Sequence, residues 1–471
     1  MDLVEEILKS EEKYRLWEKE INGFQFWQYE RFYIYKNMRT PDKPFVKPEI
    51  KKWKLLKYYI THSGRMRKGM QVDICFLAHP RRSLKEGKYE CIYTDELAKK
   101  FPNSITFERF YEEDHLEPAQ SPNIVYMDRA IMEAALYSAW KMRFCRRSRE
   151  KVEKRIYDEI EAAMHGILTS EQVRESARRA AGAYYRYQYT YKRLKRLLAR
   201  MKPKIVVEVV SYSQQCMIIN EICKELDITT IELQHGWLGK NHLAYNYPAG
   251  CVIRQFPDKM YLFGDYYKND IRCPIPKDKL ISVGFPYFER ELREYKAHRR
   301  TDERYTVLFL SQGRFTRSLS LAAAELYKIT DRQKVRIIYK LHPGEYEDWR
   351  DIHPGLEGSG VEIVGKAGIS LYDCFRTSDA QVGVYSTTIF EGLGFRLRTF
   401  IYQQEFADYL KGLIELGIAE PVGSASELWE KIKKRCTADY PTDYFWKENA
   451  LANLEYELCS ELGMDRSCVL Q

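Results

Sequence analysis

The chain has 471 residues and a formal net charge of +9, and 45% of its residues are hydrophobic while 30% are charged. This length is too great for one ordinary hydrophobic core, so two domains are expected, and the apolar content excludes a largely disordered protein. The eleven cysteines include no Cys-x-x-Cys pair and no Cys/His set with zinc spacing, which excludes a zinc-ribbon protein and indicates free thiols.

Residues 1–70 are predicted to be helical, and aromatic side chains are crowded between Trp17 and Tyr33. Such a face either packs on the rest of its domain or makes a peripheral membrane contact. The first residues lack the apolar core of a signal peptide, and no run of about eighteen apolar residues occurs. We therefore expect a cytoplasmic protein, with the inner face of the plasma membrane as a second place of action.

The first predicted strand lies within Val72–Pro80, and a polar loop follows it. His79, Arg81 and Arg82 lie at the end of this strand and in the loop, and Asp95 comes after the loop. Because α/β proteins place ligands at the carboxyl ends of parallel strands, these side chains are candidates for binding an acceptor. The alternative is that the arginines and the aspartate only brace the loop.

Long helices are predicted between about residues 127 and 200, as an inserted or appended helical region of the first domain. Two basic segments rich in aromatic residues lie in this region, Trp140–Arg155 and Tyr185–Arg200. Each is interpreted as a solvated helix face, as a nucleic-acid surface, or as a seat for anionic lipid headgroups and pyrophosphate-linked acceptors. Composition does not choose among the three, since sugars and nucleobases both stack on aromatic rings.

Strands and helices alternate after residue 202, which predicts parallel sheets in both domains. In the first domain the predicted elements are strand Ile205–Val210, helix Cys216–Leu226, a strand from Thr229 that ends before His235, strands Lys259–Gly264 and Ile281–Pro286, and helix Tyr287–His298. In the second they are strand Thr306–Leu310, helix Ser318–Thr330, strands Val335–Leu341 and Val361–Val364, helix Leu371–Thr377, strand Ala380–Val384, helix Thr388–Gly394, strand Thr399–Tyr402 and helix Ser424–Arg435. The predicted domains cover residues 1–298 and 299–440, and terminal helices cover 441–471.

The strand exits of the second domain carry groups that bind anions. They are Gln312, Gly313 and Arg314 after the first strand, His342 and Pro343 after the second, and Ser386, Thr387 and Thr388 after Ala380–Val384. Hydroxyls and N–H groups at a helix N-terminus beside a parallel sheet form an anion site, and a phosphate-bearing ligand is the natural occupant.

Two acidic residues follow these exits. Glu345 is predicted to be a helix cap. Glu391 is expected either to accept a hydrogen bond from a ribose hydroxyl or only to complement the helix dipole.

Three motifs in order resemble those of GT-B glycosyltransferases of the bacterial capsule and lipopolysaccharide type. They are the segment Ile231–Gly236 (Ile-Glu-Leu-Gln-His-Gly), the His-Pro pair after a strand, and the Ser/Thr pair at a later β-to-α turn. This group includes sialyltransferases, Kdo transferases and CDP-glycerol polyol-phosphate transferases, and the resemblance covers roughly residues 70–440. It implies an α/β fold of two Rossmann-like domains that face each other across a cleft, with the last helices crossing back to the first domain.

The resemblance also implies roles for individual residues. In those families the His-Pro histidine and the Ser/Thr pair hold the donor nucleotide and its phosphate, which implies His342, Ser386 and Thr387 here. The polyol-phosphate transferases use the histidine of their His-Gly segment as the base, which implies His235, with Gln234 beside it as an acceptor contact. Asp95 is a second candidate for the base.

No metal or cofactor is expected. The chain contains no Asp-x-Asp pair, which metal-dependent GT-A enzymes need, and it has neither a Walker A nor a GxGxxG motif. The leaving nucleotide would then be stabilised by hydrogen bonds and helix N-termini, and the nucleotide sugar would be a co-substrate.

These expectations lead to a metal-independent glycosyltransferase that moves a sugar from a nucleotide-activated donor, with a CMP-sugar as first choice, to a glycan or lipid-linked acceptor of a surface polysaccharide. The basic aromatic helices would contact an anionic membrane, and no nucleic acid is expected as a partner. The alternatives are a polyol-phosphate transferase, a nucleotide-sugar epimerase of the same fold, and a non-catalytic module that binds nucleic acid or a protein partner.

Overall fold

The structure is a computed structural model that describes residues 3–39, 52–62, 71–109, 114–297, 303–313, 317–434 and 439–464. Arg314, which was expected to bind donor charge, lies outside the described residues.

The chain divides into two compact units. Unit 1 consists of Met1–Phe263, Tyr267–Gly284 and Asn449–Gln471, and unit 2 consists of Gly264–Tyr266 and Phe285–Glu448. The division falls at Phe285 rather than at residue 298, because the helix Pro286–Ala297 packs Phe288 against Trp446 of unit 2 with ring centroids 4.1 Å apart. Residues 441–448 also belong to unit 2.

Unit 1 contains a parallel sheet and a separate hairpin. The strands are β1 (Ile74–Leu77), β2 (Arg82–Lys85), β3 (Lys88–Cys91), β4 (Ser104–Glu108), β5 (Ile124–Tyr126), β6 (Ile205–Val209), β7 (Thr229–Leu233), β8 (Lys259–Leu262) and β9 (Leu280–Ser282). The described sheet has seven strands in the order β5-β4-β1-β6-β7-β8-β9. Successive strands are added outward in opposite directions from β1 and β6, so the topological switch point lies between these two strands.

The hairpin of β2 and β3 occupies the region that was expected to be a polar loop. Arg82 pairs with Cys91 and Lys85 with Lys88, which leaves a two-residue turn at Glu86 and Gly87. Both turn residues have positive φ, 50° and 76°, as a type I′ turn requires. Glycine adopts this conformation without strain, and a glutamate there does not.

Helices surround the sheet of unit 1. They are α1 (Leu3–Tyr14), α2 (Phe26–Arg39), α3 (Lys52–Thr61), α4 (Asp95–Lys100), α5 (Asp128–Phe144), α6 (Arg146–Met164), α7 (Ser170–Met201), α8 (Gln214–Glu225) and α9 (Tyr266–Asn269), the last of which starts at the unit boundary. The long helices predicted between about residues 127 and 200 are present as α5, α6 and α7. Buried side chains of α6 and α7 join those of α1, α2, α8 and the sheet in one core, and partly buried residues of α5 pack against it.

The aromatic residues of the first helices lie inside this core. Phe24, Phe26, Trp27 and Tyr29 are buried, which confirms the packing interpretation for these side chains. Tyr185 and Tyr187, of the second basic segment, are buried as well.

Arg31 of α2 holds the loop that contains Leu243 and Asn246. Its buried guanidinium pairs with Glu11 of α1 at 2.7 Å and donates to the backbone oxygens of Leu243 and Asn246 at 2.6 and 2.8 Å. A buried cation is tolerated because carboxylate and carbonyl oxygens surround it. The N-terminal helices therefore hold the segment that carries Tyr245.

Unit 2 is a six-stranded parallel sheet with helices between its strands. The strands are β10 (Tyr305–Leu310), β11 (Val335–Lys340), β12 (Glu362–Val364), β13 (Ala380–Gly383), β14 (Arg398–Tyr402) and β15 (Ala419–Val422). The helices are α10 (Pro286–Ala297), α11 (Arg317–Ile329), α12 (Trp349–Ile352), α13 (Leu371–Arg376), α14 (Thr388–Gly394), α15 (Lys411–Glu415) and α16 (Ala425–Lys433). Short 3-10 helices over both units cover Leu16–Glu18, Leu243–Tyr245, Lys277–Lys279, Pro343–Glu345, Ala407–Leu410 and Thr442–Tyr444.

The strand order of unit 2 is β12-β11-β10-β13-β14-β15, which is the Rossmann order with its switch point between β10 and β13. The β-branched runs predict these strands well, since β11 and β13 each end within one residue of the predicted position. The predicted fold class, two Rossmann-like α/β domains, is therefore confirmed.

The last described helix, α17 (Ala450–Leu462), belongs to unit 1. Its Glu455 pairs with Lys100 at 2.9 Å, its Glu461 pairs with Lys259, and Asn453 donates to the backbone oxygen of Val283 at 3.1 Å. In the parts of the chain that the structure describes, no helix is both long and apolar enough to cross a bilayer.

Candidate functional site

The carboxyl edge of the unit 2 sheet gathers three predicted strand exits. Ser311 follows β10, His342 follows β11, and Ser386 follows β13. Ligands of open α/β sheets bind in the crevice at the switch point, which here lies between β10 and β13. Strand order alone therefore brings these loops to one place.

Buried Glu345 joins two of these loops. Its Oε2 accepts the backbone N–H of His342 at 2.8 Å, and its Oε1 accepts the hydroxyl of Ser311 at 2.9 Å and Nε2 of His353 at 2.9 Å. Burial alone would raise the pKa of Glu345, but the hydrogen bonds from His353, Ser311 and the His342 N–H outweigh it and lower the pKa. Glu345 is thus the predicted cap, and it remains ionised at neutral pH.

The tautomer of His342 follows from its own turn. Its Nδ1 accepts the backbone N–H of Gly344 at 3.1 Å, so the proton of the neutral ring resides on Nε2. The ring is exposed. His342 therefore presents an N–H donor at its outer nitrogen, which is the group that a phosphate oxygen needs.

A pocket of about 420 Å³ opens at this edge, within the usual size range of small-molecule sites. Its polar lining consists of Ser311, Lys340, His342, Tyr346, Lys366, Ser370 and Thr388, and Pro343 also contributes to the wall. No acidic residue is among the described residues that line it. With two lysines and a histidine N–H, the pocket favours an anion.

Three residues that line this pocket were not predicted from the sequence: Lys340, Tyr346 and Lys366. Lys340 is the last residue of β11, directly before the His-Pro exit, which was a usable signal, and its partial burial lowers the pKa of its ammonium group. Tyr346 lies below Lys340 at 5.8 Å from Nζ to the ring centroid. Lys366 lies in the loop after β12, where the sequence gives no signal.

The Ser/Thr turn differs from the expectation. Its N–H groups already have acceptors, because Thr388 donates to the hydroxyl oxygen of Ser386 at 3.2 Å, Ile389 to the Ser386 carbonyl, and Phe390 to the Thr387 carbonyl. Ser386 is buried, Thr387 is exposed, and Thr388 lines the pocket. The hydroxyls, rather than open backbone N–H groups, are what this turn offers to a ligand.

The other residues predicted for the donor are not in the pocket lining. Glu391 is buried in α14, and Gln312 and Gly313 follow Ser311 in the β10 exit loop. Their predicted contacts with the donor stay predictions.

In unit 1, the switch point brings His79 and His235 together. The rings stack with centroids 6.2 Å apart, and Tyr93 packs against His79 while its hydroxyl donates to the backbone oxygen of His235 at 2.7 Å. Burial, with repulsion from Arg109, Arg81 and Arg82, lowers the pKa of His79 to about 3. Arg81 itself is exposed, and its N–H donates to Nδ1 of His79 at 3.0 Å.

His235 is held by two tyrosines and a buried acid. The hydroxyl of Tyr212 lies 3.3 Å from Nε2, and that of Tyr245 lies 3.4 Å from Nδ1. Tyr245 donates its own proton to buried Glu232 at 2.5 Å, so its oxygen faces His235 as an acceptor. This arrangement places the imidazole proton on Nδ1 and leaves the lone pair on Nε2.

The imidazole of His235 is neutral and can accept a proton. Burial, with repulsion from His79 and His242, lowers its pKa well below the usual value, so the ring is neutral at pH 7. Its side chain still has 17% of its surface exposed, which leaves it accessible to a ligand. Tyr212, Tyr245 and Glu232 were missed, although a glutamate inside the apolar strand β7 was a usable signal.

Asp95 and Arg82, both predicted for the site, are buried next to each other. The Asp95 side chain is fully buried, accepts the N–H of Cys91 at 2.8 Å and lies 3.8 Å from Arg82, which also pairs with Glu108 at 2.8 Å. Burial raises the pKa of Asp95 to about 6. Both residues brace the hairpin through these contacts, and their predicted roles toward an acceptor stay predictions.

Gln234 is also internal. Its Nε2 donates to the oxygen of Gly236 at 2.8 Å, and its Oε1 accepts the N–H of Phe263 at 2.7 Å. The amide thus fixes the turn that presents His235, and its predicted contact with the acceptor stays a prediction. Among the described residues, no group of three or more His, Cys, Asp or Glu side chains could hold a metal ion.

No family model matches the sequence, and no curated protein matches it. Solved structures give distant likenesses. UDP-GlcNAc 2-epimerase from Neisseria meningitidis bound to UDP-GlcNAc is 12% identical, with 83% of this chain and 100% of that chain covered and a TM-score of 0.46. The wall teichoic acid polymerase TagF is 12% identical, with 95% and 96% covered and a TM-score of 0.42.

A third structure, the spinosyn rhamnosyltransferase SpnG complexed with thymidine diphosphate, is 10% identical, with 85% of this chain and 99% of that chain covered and a TM-score of 0.40. These scores all lie below 0.5. The fold assignment accordingly depends on the two parallel sheets themselves.

Proposed function

We propose that this chain is a metal-independent glycosyltransferase that moves a sugar from a nucleotide-activated donor to a surface-polysaccharide or glycolipid acceptor. The observation that carries the proposal is the cationic pocket of unit 2, which His342, Lys340, Lys366 and Thr388 line together. A CMP-sugar is our first choice of donor, on the resemblance of the His-Pro and Ser/Thr motifs.

The proposed mechanism gives each unit one task. In unit 2, His342 and the lysines stabilise the charge that develops on the departing nucleotide phosphate as the bond from the sugar carbon to the phosphate oxygen breaks. Tyr346 offers a ring on which the donor can stack. No metal ion is needed for this neutralisation, because cationic and N–H donors already line the pocket.

In unit 1, the proposed base is His235. As the acceptor oxygen bonds to the sugar carbon, its proton passes to Nε2, directly or through the Tyr212 hydroxyl that lies 3.3 Å from this nitrogen. The hydrogen bond from Nδ1–H to Tyr245 holds the ring in place. The positive charge that forms is next to buried Glu232, whose Oε1 lies 3.9 Å from Nδ1. Asp95 is not assigned as a base, because it is buried against Arg82.

The proposal is tested by thermal shift with CMP, CDP, UDP and GDP. A ligand present at about a hundred times its Kd stabilises the folded state by about 2.7 kcal/mol, which gives a measurable rise in Tm. His165→Ala is the matched control for histidine substitutions, since His165 is exposed on unit 1 away from both sites. No shift with any nucleotide, or an equal shift after His342→Ala, would contradict the assignment of the pocket.

Mass spectrometry on a pool of sugar nucleotides then separates the alternatives. A glycosyltransferase releases free nucleotide and lengthens the acceptor by a sugar, whereas a polyol-phosphate transferase adds a phosphorylated polyol. An epimerase gives an isomer of unchanged mass. A module that binds RNA but no nucleotide would show none of these products.

A further inference from the structure

Unit 1 has a pocket of its own, which is larger than the pocket of unit 2. Its volume is about 750 Å³, and its walls come from β5, the first turns of α5 and the C-terminal half of α7. The floor is apolar and includes Phe107, Val125 and Leu197. We call it the basic pocket, after the cations on its rim: Arg129, Lys192, Arg193, Arg196 and Arg200.

The charges of the basic pocket are not balanced. Glu133 forms ion pairs with Arg129 at 3.0 Å and with Arg193, but it is not part of the lining. Lys192, Arg196 and Arg200 are exposed and have no carboxylate partner among the residues that the structure describes. They follow each other at intervals of four on α7, so they form one ridge along the same helix face.

An exposed apolar stripe lies on α5, the helix whose first turns line the basic pocket. Leu136, Trp140 and Phe144 are exposed to 68%, 50% and 68%, and their spacing of four puts them on one face of the helix. The stripe adjoins the pocket through Tyr137, a lining residue whose ring centroid lies 6.1 Å from that of Trp140. Lys141 lies over both rings.

We infer that the basic pocket binds the phosphate group of an anionic membrane lipid, with the stripe Leu136–Trp140–Phe144 entering the interface of the bilayer. Arginine guanidinium groups and the lysine match phosphate oxygens in charge and in hydrogen-bond geometry. An adjacent row of apolar and tryptophan side chains with flanking cations is the pattern of a helix that lies at a membrane interface. A soluble anion would account for the ridge alone, whereas a lipid accounts for both the ridge and the stripe.

This inference goes beyond the proposed transfer reaction and does not depend on it. Nucleotide binding is measured in unit 2 with soluble ligands, whereas lipid binding is measured on side chains of unit 1. Either result can therefore fail without the other.

Vesicle cosedimentation tests the inference with two kinds of vesicle, phosphatidylcholine alone and phosphatidylcholine with about a third phosphatidylglycerol. The full chain is expected to bind the second kind and not the first. The triple variant Lys192→Ala/Arg196→Ala/Arg200→Ala should bind about a hundredfold more weakly, since each cation near an anionic surface contributes roughly a factor of five. All three side chains are exposed, so the variant should fold, which circular dichroism checks.

The matched control removes the same charge elsewhere. Lys151, Arg174 and Arg178 are exposed on α6 and on the N-terminal half of α7, outside the basic pocket. The triple variant Lys151→Ala/Arg174→Ala/Arg178→Ala should bind within about twofold of the parent chain. Equal losses in the two triple variants would show attraction by net charge only and would overturn the inference, as would absence of binding to anionic vesicles.

Two further measurements separate a lipid from a soluble anion. The double variant Trp140→Ala/Phe144→Ala, which leaves the charge unchanged, should weaken vesicle binding about tenfold or more. Inorganic pyrophosphate is the soluble probe in a thermal-shift assay. If the ridge variant loses a pyrophosphate shift while vesicle binding is unchanged in both the ridge and the stripe variants, the pocket takes soluble anions and the lipid assignment is wrong.

Discussion

The carboxylate of Glu345 accepts the backbone N–H of His342 at 2.8 Å, and this bond makes the position of one loop depend on a buried charge. Because Glu345 also accepts from Ser311 and His353, its replacement leaves several buried donors without their acceptor. Glu345→Ala is expected to lower the free energy of unfolding by about 2–5 kcal/mol and to weaken nucleotide binding. Urea denaturation measures the first effect, with exposed Glu347→Ala as the control.

The same residue predicts a dependence on pH. The pKa of Glu345 is lowered in the folded state, so its contribution to stability is present above the ordinary carboxyl pKa and is lost as pH falls through the lowered value. The difference between the parent chain and Glu345→Gln should therefore be largest near pH 7 and shrink below about pH 4. A constant difference over this range would contradict an ionised Glu345.

Replacement of His342 is expected to affect nucleotide binding without affecting the fold, because its ring is exposed. Loss of a hydrogen bond to a charged phosphate costs about 1.5–3 kcal/mol, so His342→Ala should raise the Kd for the nucleotide at least tenfold. His342→Gln, which keeps an N–H donor, should lose less. Calorimetric titration of both variants and of His165→Ala measures these differences.

His235→Ala should have the opposite effect, since His235 is proposed to act only on the acceptor proton. We expect nucleotide binding to be unchanged and kcat to fall by about 10²–10⁴. The reverse pattern, with binding lost in His235→Ala and retained in His342→Ala, would mean that the two roles have been exchanged.

The pH profile offers a second measurement on His235. Since burial lowers its pKa well below the usual value, the base stays unprotonated through the neutral range. kcat/KM should therefore remain level as pH falls from 8 to about 6.5 and decrease only at lower pH. Tyr245→Phe removes the oxygen that accepts from Nδ1–H and should lower kcat with little change in KM.

A buried acid near this site should make the protein less stable at alkaline pH. Burial, with repulsion from Glu232, raises the pKa of Glu208 to about 8, so the folded chain holds a proton that the unfolded chain releases above about pH 4.3. The contribution of Glu208 to stability thus falls as pH rises from about 4.3 to 8. Glu208→Gln imitates the protonated acid and should raise Tm at pH 8 but not at pH 4, whereas exposed Glu12→Gln should do neither.

The repeating units of the fold could be predicted because their signals are local. The strand Ala380–Gly383 and the helix Thr388–Gly394 are a β-branched run and a capped turn in adjacent residues, and both have the predicted bounds to within one residue. The hairpin Arg82–Cys91 was missed because its strands are polar, lie outside the seven-stranded sheet, and turn at Glu-Gly rather than at Asn-Gly or Asp-Gly.

The candidate site was predictable only where chain order sufficed. His79 and His235 both follow parallel strands, so their meeting at one edge follows from the βα pattern. Tyr245 could not be placed, because it reaches His235 through a 3-10 turn that Arg31, more than two hundred positions away, holds in position. The contact of Asp95 with Arg82 could not be predicted, because only the hairpin carries Arg82 to it.

Helix α17 gives unit 1 an unusual order of assembly during translation. Unit 1 cannot gain the ion pairs of Glu455 and Glu461 until the ribosome has synthesised all of Phe285–Glu448, which is nearly all of unit 2. A nascent chain arrested before Asn449 would thus carry a complete second unit and a first unit in which Lys100, Lys259 and Val283 lack their partners on α17.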